Sequence, residues 1–303
     1  MKDARAFAEY IRRGDESGGM KVADAMTPGE KVVTVSLPGT RDDVLEYLQE
    51  RGFSSVPVVK ETDEGTKYRG LISREDLIKH PDEDQLAVLV REVPTVSSDD
   101  DLEVVAETMV SEDARRIPVI NGDGIEGILT VTDVIRAIAR GDIDGETPVG
   151  DLAARDVNTT YIETPLPVVE REIYYANVPY AVVLDDEASL AGIVTEVDII
   201  EVARVVEGEA GTGDSVAGQD DEWMWEGIKA VGNRYIPTRN VEIPAEPVSK
   251  FMTDDLVSVS TRVTAKDAAQ TMIREDIEQI PLVSGDELIG IVRDINLLEA
   301  LHE

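Results

Sequence analysis

The sequence predicts an α+β fold built from four copies of one strand–helix–strand–strand–helix unit. Two recurring motifs support this prediction. The first is a glycine followed by two aliphatic residues and a short polar turn, and it begins at Gly70, Gly127, Gly192 and Gly290. The second is an aliphatic–proline–apolar run upstream of each glycine, with its prolines at Pro57, Pro118, Pro179 and Pro281. A motif that recurs at intervals along a chain indicates one supersecondary unit used repeatedly.

The spacing of these motifs is a third observation. The distances from proline to glycine are 13, 9, 13 and 9 residues, and this alternation indicates that a two-repeat unit was itself duplicated. A Thr or Ser stands 23 residues before the proline in copies one, two and four, at Thr34, Thr95 and Ser258. Copy three is shorter in this region, and Pro165 and Pro167 interrupt it.

The elements of one unit follow from local patterns. The β-branched run 32–35 predicts the first strand. Residues 42–50 place apolar side chains on one helical face, and the last helix does so with Val134, Ile135 and Ile138. The proline and glycine runs between the helices predict a hairpin. A unit of about 60 residues buries too little surface to be stable alone, so we expect copy one to pair with two, and three with four.

The repeats divide the chain into predicted domains. The four repeats are expected at 20–82, 83–143, 144–207 and 246–303. Residues 1–19 read as an N-terminal helix or tail, and residues 208–245 as an acidic linker with an insertion that contains Trp223 and Trp225. This insertion either packs against its own module or offers a partner-binding patch, since exposed aromatic side chains favour interfaces.

The order of the motifs resembles the CBS domain, a family named for cystathionine β-synthase. Val22 to Thr27 reads Val-x-Asp-x-Met-Thr, and the Thr strand, the aliphatic-Pro-Val run and Gly-aliphatic-aliphatic-Thr-x-x-Asp follow in that order. The resemblance covers nearly the whole chain outside residues 1–19 and 208–245. It implies that the repeats associate in tandem pairs with a pseudo-twofold axis and bind adenosine-containing ligands in the clefts between them.

A hydroxyl and a carboxylate three residues apart form the candidate site of each repeat. These pairs are Ser73 with Asp76, Thr130 with Asp133 and Thr195 with Asp198. One interpretation is a capping box at the start of a helix. A second, compatible interpretation is ligand binding: free helical N–H groups suit a phosphate, the carboxylate accepts from a ribose diol, and the glycine admits a flat ligand.

The resemblance assigns roles to individual positions. It implies that the Ser/Thr and Asp residues hold phosphate and ribose, with adenine near Thr34 or Thr95 and the proline strand that carries Pro118. Copy two adds Arg115 and Arg116, either as phosphate counter-charges or as a solvated pair. Copy four departs from the pattern at two positions, where Arg293 replaces the hydroxyl and Asn296 the carboxylate.

Composition indicates the environment. The chain has 63 acidic and 29 basic residues, a net charge of −34, and 42% hydrophobic residues, which favours a folded chain over a disordered one. Such self-repulsion is screened when molar salt shortens the Debye length to roughly 3 Å. We therefore expect a halophilic archaeal cytoplasm. The sequence has no basic stripe, so nucleic-acid binding is disfavoured.

The predicted function is a non-catalytic regulatory sensor of AMP, ADP, ATP or S-adenosylmethionine. The chain has no cysteine and two histidines, which excludes the cysteine chemistry of IMP dehydrogenase, an enzyme that carries CBS pairs. No apolar run reaches the roughly 20 residues that span a bilayer. We expect no catalytic residue, metal or separate cofactor, and an unidentified regulated protein as partner; a homodimer is left open. The alternative is a scaffold with unoccupied clefts.

Overall fold

The computed structural model describes residues 19–41, 43–44, 47, 55–63, 65–73, 76, 83, 85–112, 114–202, 204–207, 239–285 and 287–301. The chain divides into two compact units. The first contains residues 1–154, 259–280 and 292–303, and the second contains residues 155–258 and 281–291. Each unit is described separately.

Repeats 3 and 4 show the predicted strand–helix–strand–strand–helix order, and the described residues of repeats 1 and 2 contain part of it. Repeat 1 contains α1 (Val22–Ala25), β1 (Thr27–Pro28), β2 (Val35–Leu37), β3 (Ser55–Thr62) and β4 (Gly65–Ser73). Repeat 2 contains α2 (Leu86–Leu89), α3 (Leu102–Ser111), β5 (Arg116–Asn121), β6 (Gly124–Thr130) and α4 (Val131–Arg140). Repeat 3 contains α5 (Val149–Leu152), β7 (Thr159–Tyr161), α6 (Leu166–Ala176), β8 (Tyr180–Leu184), β9 (Leu190–Thr195), α7 (Glu196–Val202) and β10 (Arg204–Glu207). Strand β11 (Arg239–Glu242) precedes repeat 4, which contains β12 (Val259–Ser260), α8 (Ala265–Glu275), β13 (Gln279–Ser284), β14 (Glu287–Arg293) and α9 (Asp294–Leu297).

Small sheets form the framework, and they confirm the α+β prediction. Their strand orders are β2-β3-β4, β1-β6-β5, β7-β8-β9, β12-β13-β14 and β10-β11. In repeats 1 and 3 the first strand runs parallel to the second, and the second and third form an antiparallel hairpin. Repeat 2 has a single parallel bridge from Val96 to Val119 in place of the first strand. Short turns of 3₁₀ helix lie at Gly29–Lys31, Val248–Lys250 and Leu298–Leu301.

Repeats 1 and 2 exchange their connecting segments within the first unit. Thr27 of repeat 1 pairs with Ile128 of repeat 2, and Arg91 of repeat 2 bridges to Leu71 of repeat 1. The α2 side chains of repeat 2 belong to the core of repeat 1, where Leu86 is fully buried. Each repeat therefore completes the core of the other, which is how the two small units bury enough apolar surface to be stable.

A charged contact also joins repeats 1 and 2. The β5–β6 turn places Asp123 beside β4, where its carboxylate lies 2.9 Å from Lys67 Nζ. The Tyr68 amide donates to the Asp123 carbonyl at 2.8 Å. The hydrogen bond from Lys67 holds the pKa of the Asp123 carboxyl below its usual value.

The second unit repeats the same exchange. Its core is formed by Leu166, Val169, Ile173, Ala181, Val183, Val194 and Ile199, together with Val248 from the segment that leads into repeat 4. Thr253 bridges to Ile193 of β9, as Arg91 does to Leu71 in the first unit. Strand β11, at the end of the predicted insertion, pairs antiparallel with β10. Trp223, Trp225, the predicted tail helix and most of helix 42–50 lie outside the described residues.

The repeated glycine serves the contact between paired repeats. A Cβ at Gly127 would lie 2.6 Å from Met26 Sδ and 2.7 Å from the Thr27 carbonyl oxygen. At Gly70, φ is +147° and a Cβ would lie 2.3 Å from the Arg91 carbonyl oxygen. The sequence interpretation, in which the glycine makes room for a flat ligand, is therefore wrong for these two positions. The glycine instead admits the connecting segment of the paired repeat.

We expect Gly127→Ala to destabilise the first unit. Its methyl group would enter a gap that Met26 and Thr27 already fill, and overpacking of this kind costs about 1–3 kcal/mol. Gly124→Ala in the same strand is a matched control, because its nearest neighbours lie 3.8 Å away. The midpoint of denaturant unfolding measures the effect. Equal midpoints for the two variants would contradict the close-approach role.

Two strand predictions need correction. Residues 32–35 were predicted as the first strand of repeat 1, but β2 begins at Val35 because Val32 closes the 3₁₀ turn on the Gly29 carbonyl. In repeat 3, Pro165 and Pro167 do not interrupt the first strand, since β7 ends at Tyr161. Pro165 is the N-cap of α6 and Pro167 lies in its first turn, where a missing N–H costs nothing.

The prediction that Pro179 of repeat 3 is equivalent to Pro57 and Pro118 is also wrong. Pro57 and Pro118 each pair with the residue directly after the repeated glycine, and in repeat 3 that partner is Val182, which pairs with Ile193. Pro179 precedes β8. Counted from Val182 to Gly192, the distance is 10 residues. The long hairpin is thus a feature of repeat 1, and the spacing no longer supports a duplicated two-repeat unit.

Helices of repeats 2 and 4 pack together in the first unit. Helix α4 packs against α8, and α3 lies beside the 3₁₀ turn Leu298–Leu301. The amide of Val149 in α5 donates to the Val263 carbonyl at 2.8 Å, which fixes the beginning of repeat 3 beside the residues that precede α8. This arrangement places the last helix of repeat 2 beside the first helix of repeat 4.

Candidate ligand-binding site

The predicted hydroxyl–carboxylate pair of repeat 2 forms a capping box. Strand β6 ends at Thr130, and α4 begins at the next residue. The Thr130 amide and hydroxyl both donate to Asp133 Oδ2, at 3.0 and 2.7 Å, and the Asp133 amide donates to Thr130 Oγ1 at 3.3 Å. The strand-to-helix turn thus fixes the carboxylate at the start of the helix.

The same geometry recurs in repeats 1 and 3. In repeat 1 the Ser73 amide and hydroxyl donate to Asp76 Oδ2 at 2.8 and 2.6 Å. In repeat 3 the Thr195 amide and hydroxyl each donate to Asp198 Oδ2 at 2.7 Å. The capping interpretation therefore describes all three pairs. In each of them one oxygen of the carboxylate serves the cap, and the other oxygen is left for a different partner.

The second oxygen of the carboxylate distinguishes the three repeats. Asp133 Oδ1 lies 3.0 Å from Arg136 Nη1, and Asp76 Oδ1 lies 2.5 Å from Arg91 Nε. Both aspartate side chains are 7% exposed, whereas the arginine side chains are 49% and 53% exposed. Asp198 is half-buried, and its Oδ1 has no hydrogen-bond or ion-pair partner among the described residues.

This arrangement has a chemical consequence. A buried carboxylate needs partners for its oxygens, and in repeats 1 and 2 the outer oxygen is satisfied by one long, half-exposed side chain. A surface guanidinium that leaves its carboxylate for water loses little free energy. An incoming pair of hydroxyl groups is therefore able to replace it at Asp76 or Asp133.

A threonine lies at the beginning of the first strand, or of the bridge that replaces it, in repeats 1, 2 and 3. Val96 donates to the Pro118 carbonyl at 3.1 Å, which puts Thr95 next to buried Pro118. Thr34 immediately precedes Val35, the first residue of β2. Repeat 3 has Thr159 at the same place, because Val35 and Thr160 pair with equivalent residues of the second strand.

Sequence reasoning missed Thr159 and Arg91. Thr159 lies 23 residues before Val182, so the expected spacing was present but was hidden by a valine in place of the proline. Arg91 belongs to repeat 2 but lies at the cap of repeat 1, where Nη2 donates to Ser73 Oγ at 3.4 Å. No signal in the sequence marks Arg91, because its position depends on how the two repeats pair.

The structure separates the two arginines of repeat 2. Arg116 opens β5 directly opposite Thr130, so its backbone is beside the cap. The Arg115 carbonyl accepts from the Val131 amide at 3.1 Å, but its guanidinium turns toward repeat 4. There Nη1 and Nη2 donate to the two oxygens of Asp294 at 3.0 and 2.6 Å. Within the described residues Arg115 is therefore not a solvated cation.

Repeat 4 keeps the strand-to-helix turn but has an amide in place of the carboxylate. The Arg293 amide donates to Asn296 Oδ1 at 3.0 Å, and Asn296 Nδ2 donates to Glu299 at 3.4 Å. Helix α9 is a single turn, Asp294–Leu297. An amide in place of the carboxylate leaves one acceptor, already used by the cap, so this copy offers less to a diol than the other three.

The family of the chain follows from these features and from comparison with known proteins. The CBS domain family matches residues 22–83, 86–140, 149–204 and 248–303. The chain belongs to the CBS domain family. The four matched segments contain the four strand-to-helix turns described above.

Similar proteins are found in archaea. Protein MJ1404 of Methanocaldococcus jannaschii is 26% identical over 284 residues, which cover 93% of this chain and 62% of that protein. The structure of a conserved protein from Pyrococcus horikoshii aligns with a TM-score of 0.66 at 28% identity, over 93% of this chain and 100% of that one. Protein MJ1225 of M. jannaschii aligns with a TM-score of 0.65 at 20% identity, over 92% and 99%, and supports the fold alone. The chain spans 57% to 62% of the length of the first curated relatives it matches.

Two kinds of feature are absent from the described residues. No helix there is long and apolar enough to cross a membrane. No group of three or more His, Asp or Glu side chains in the same part of the chain is placed to hold a metal ion.

Proposed function

We propose that this protein is a non-catalytic regulatory sensor that binds adenosine-containing ligands at its CBS repeats. The observation that carries the proposal is the buried aspartate of repeats 1 and 2, whose outer oxygen is paired only with a half-exposed arginine. A cap needs one carboxylate oxygen, so burial of the second one is unexplained by capping alone. A ribose diol supplies the donors that this oxygen accepts.

The proposed roles follow the geometry of each cap. Asp76, Asp133 and Asp198 accept from ribose hydroxyl groups through Oδ1. Ser73, Thr130 and Thr195 each lie three residues before the capping aspartate and face phosphate or another substituent of the ribose. Thr34, Thr95 and Thr159, with Pro118 in repeat 2, line the side where adenine stacks. Arg293 and Asn296 make repeat 4 the weakest of the four.

Charge differs between the caps, and we expect ligand preference to differ with it. Repeat 2 places Arg116 opposite its hydroxyl residue, whereas Tyr180, which is buried, takes that place in repeat 3. Glu196 opens the helix that follows in repeat 3. Repeat 2 therefore suits a phosphorylated nucleotide, and repeat 3 suits an adenosyl compound without phosphate, such as a sulfonium.

The wider setting is part of the same proposal. The charge of −34 supports a saline cytoplasm, because molar salt screens the self-repulsion of the chain. Ligand binding would act on a regulated protein or on a second copy of this chain. Nucleic acid is not an expected partner, because acidic residues outnumber basic ones about two to one.

Calorimetry with a panel of ligands tests the proposal. AMP, ADP, ATP and S-adenosylmethionine are titrated into the full chain in molar KCl, with GMP as the control for the base. We expect saturable binding of at least one adenosine compound and none of GMP. No binding across the panel would favour the scaffold alternative, and turnover of any ligand during the titration would favour an enzyme.

A further inference from the structure

Repeats 2 and 4 carry opposite charges at equivalent positions. The residue whose carbonyl accepts the first amide of the helix after the cap is Arg115 in repeat 2 and Glu278 in repeat 4. The helix residue that donates this amide is Val131 in repeat 2 and Asp294 in repeat 4. Both acidic residues of repeat 4 contact Arg115, since Glu278 Oε2 lies 3.2 Å from its Nη2.

The pair formed by Arg115 and Asp294 is a strong one. It is bidentate, with the two nitrogen–oxygen distances of 3.0 and 2.6 Å, and the Asp294 side chain is 6% exposed. The Ile295 amide also donates to Asp294 Oδ1 at 2.7 Å. Asp294 therefore receives a guanidinium fork and a backbone amide, the same set of donors that proteins use for phosphate.

The backbone of Arg115 adjoins the repeat 2 cap. Its own carbonyl accepts the first amide of α4, and the neighbouring Arg116 lies opposite Thr130. The Arg115 side chain remains 36% exposed, so it is accessible while it is bound to Asp294. A phosphate at the start of α4 would offer this guanidinium the same bidentate geometry that the carboxylate now provides.

We propose that Asp294 is a specificity-determining residue for the repeat 2 cleft: it holds Arg115 and so lowers the preference of that cleft for phosphorylated ligands. Asp294 acts through Arg115 and does not touch the ligand, so its role is to position another side chain. A ligand phosphate gains Arg115 only by displacing the carboxylate. The inference rests on the proposed function, because it requires an adenosine compound in repeat 2.

The test compares AMP with adenosine in four variants of the full chain. Asp76→Asn and Asp198→Asn are included throughout, so that repeat 2 dominates the calorimetric signal. The quantity measured is the ratio of the AMP affinity to the adenosine affinity. We expect Asp294→Asn to raise this ratio by about fivefold or more, a common size for coupling between sites. Arg115→Gln should lower the ratio by about tenfold, because a hydrogen bond to a charged partner is lost.

The double variant decides whether Arg115 carries the effect. With Arg115→Gln present, Asp294→Asn should leave the ratio unchanged. Asp267→Asn on α8 is the charge-matched control, since Asp267 is exposed and has no ion-pair partner among the described residues. An increase of similar size with Asp267→Asn, or with Arg115 absent, would overturn the proposal and assign the effect to general charge.

A milder variant covers the case in which Asp294→Asn does not fold. Glu278→Gln removes the second carboxylate beside Arg115, and its side chain is 61% exposed. It should raise the ratio in the same direction by a smaller factor, and an unchanged ratio would overturn the proposal. If adenosine binds and Asp133 is required, but no variant shifts the ratio, only this inference fails. If neither adenosine nor any ligand of the calorimetric panel binds the wild-type chain, the proposed function and this inference both fail.

Discussion

Replacing Asp133 by alanine is expected to weaken nucleotide binding at repeat 2 by at least about tenfold. The carboxylate would accept hydrogen bonds from the ribose, and losing a bond of this kind costs roughly 1.5–3 kcal/mol, or one to two decades of affinity. Isothermal titration calorimetry with AMP measures the change. Asn296→Ala, the equivalent change in repeat 4, should alter binding little.

A second substitution separates ligand binding from helix capping. Asp133 also accepts from the Thr130 amide and hydroxyl, so alanine removes this half of the capping box together with the ligand contact. Asp133→Asn keeps one oxygen for the cap and replaces the other by an NH₂ group, which cannot accept from ribose. We expect Asn to bind as weakly as Ala while keeping more thermal stability. Unchanged affinity in both variants would mean that this aspartate is a helix cap alone.

The fold is expected to depend on salt. With a net charge of −34, self-repulsion acts over a Debye length of about 10 Å at 0.1 M salt, but over about 3 Å at 1 M. Circular dichroism should show a substantially higher midpoint of thermal unfolding in 2 M KCl than in 0.05 M KCl. Equal midpoints at the two concentrations would contradict the prediction.

Two controls identify screening as the cause of the salt effect. NaCl at the same ionic strength should stabilise the fold nearly as well as KCl, because screening depends on ionic strength rather than on the identity of the cation. Sucrose at the same osmolarity should have a clearly smaller effect, since it does not screen charge. A large effect of sucrose would point to excluded-solute stabilisation instead.

Local patterns predicted the repeated unit and its caps because both depend on residues close in the chain. The proline and glycine runs of repeats 1 and 2 form hairpins, as the motif order indicated, and their prolines lie opposite the residue after the glycine. The Thr130–Asp133 cap was likewise visible as a spacing of three. In repeat 3 the proline gave a wrong prediction of the hairpin length. Val182 lies opposite the residue after the glycine, and Pro179 lies before the strand.

Contacts between repeats were beyond sequence reasoning. Arg115 was interpreted as a phosphate ligand or a solvated residue, and its bond to Asp294 depends on the packing of repeat 2 against repeat 4. Arg91 reaches Asp76 because the repeats exchange connecting segments. The close approach of Met26 to Gly127 has the same origin. A sequence motif shows which residue type is required at a position, but it does not show which residues of another repeat contact that position.

Binding of adenosine compounds by the capping aspartates of repeats 1, 2 and 3 is the core of the proposed function. Equilibrium dialysis of radiolabelled AMP and adenosine against the wild-type chain and against Asp76→Asn/Asp133→Asn/Asp198→Asn in molar KCl tests it most directly. We predict saturable binding to the wild type and an affinity at least about tenfold lower in the triple variant, with both proteins giving the same circular dichroism spectrum. Unchanged affinity in a folded triple variant, or no binding to the wild type, would contradict the claim.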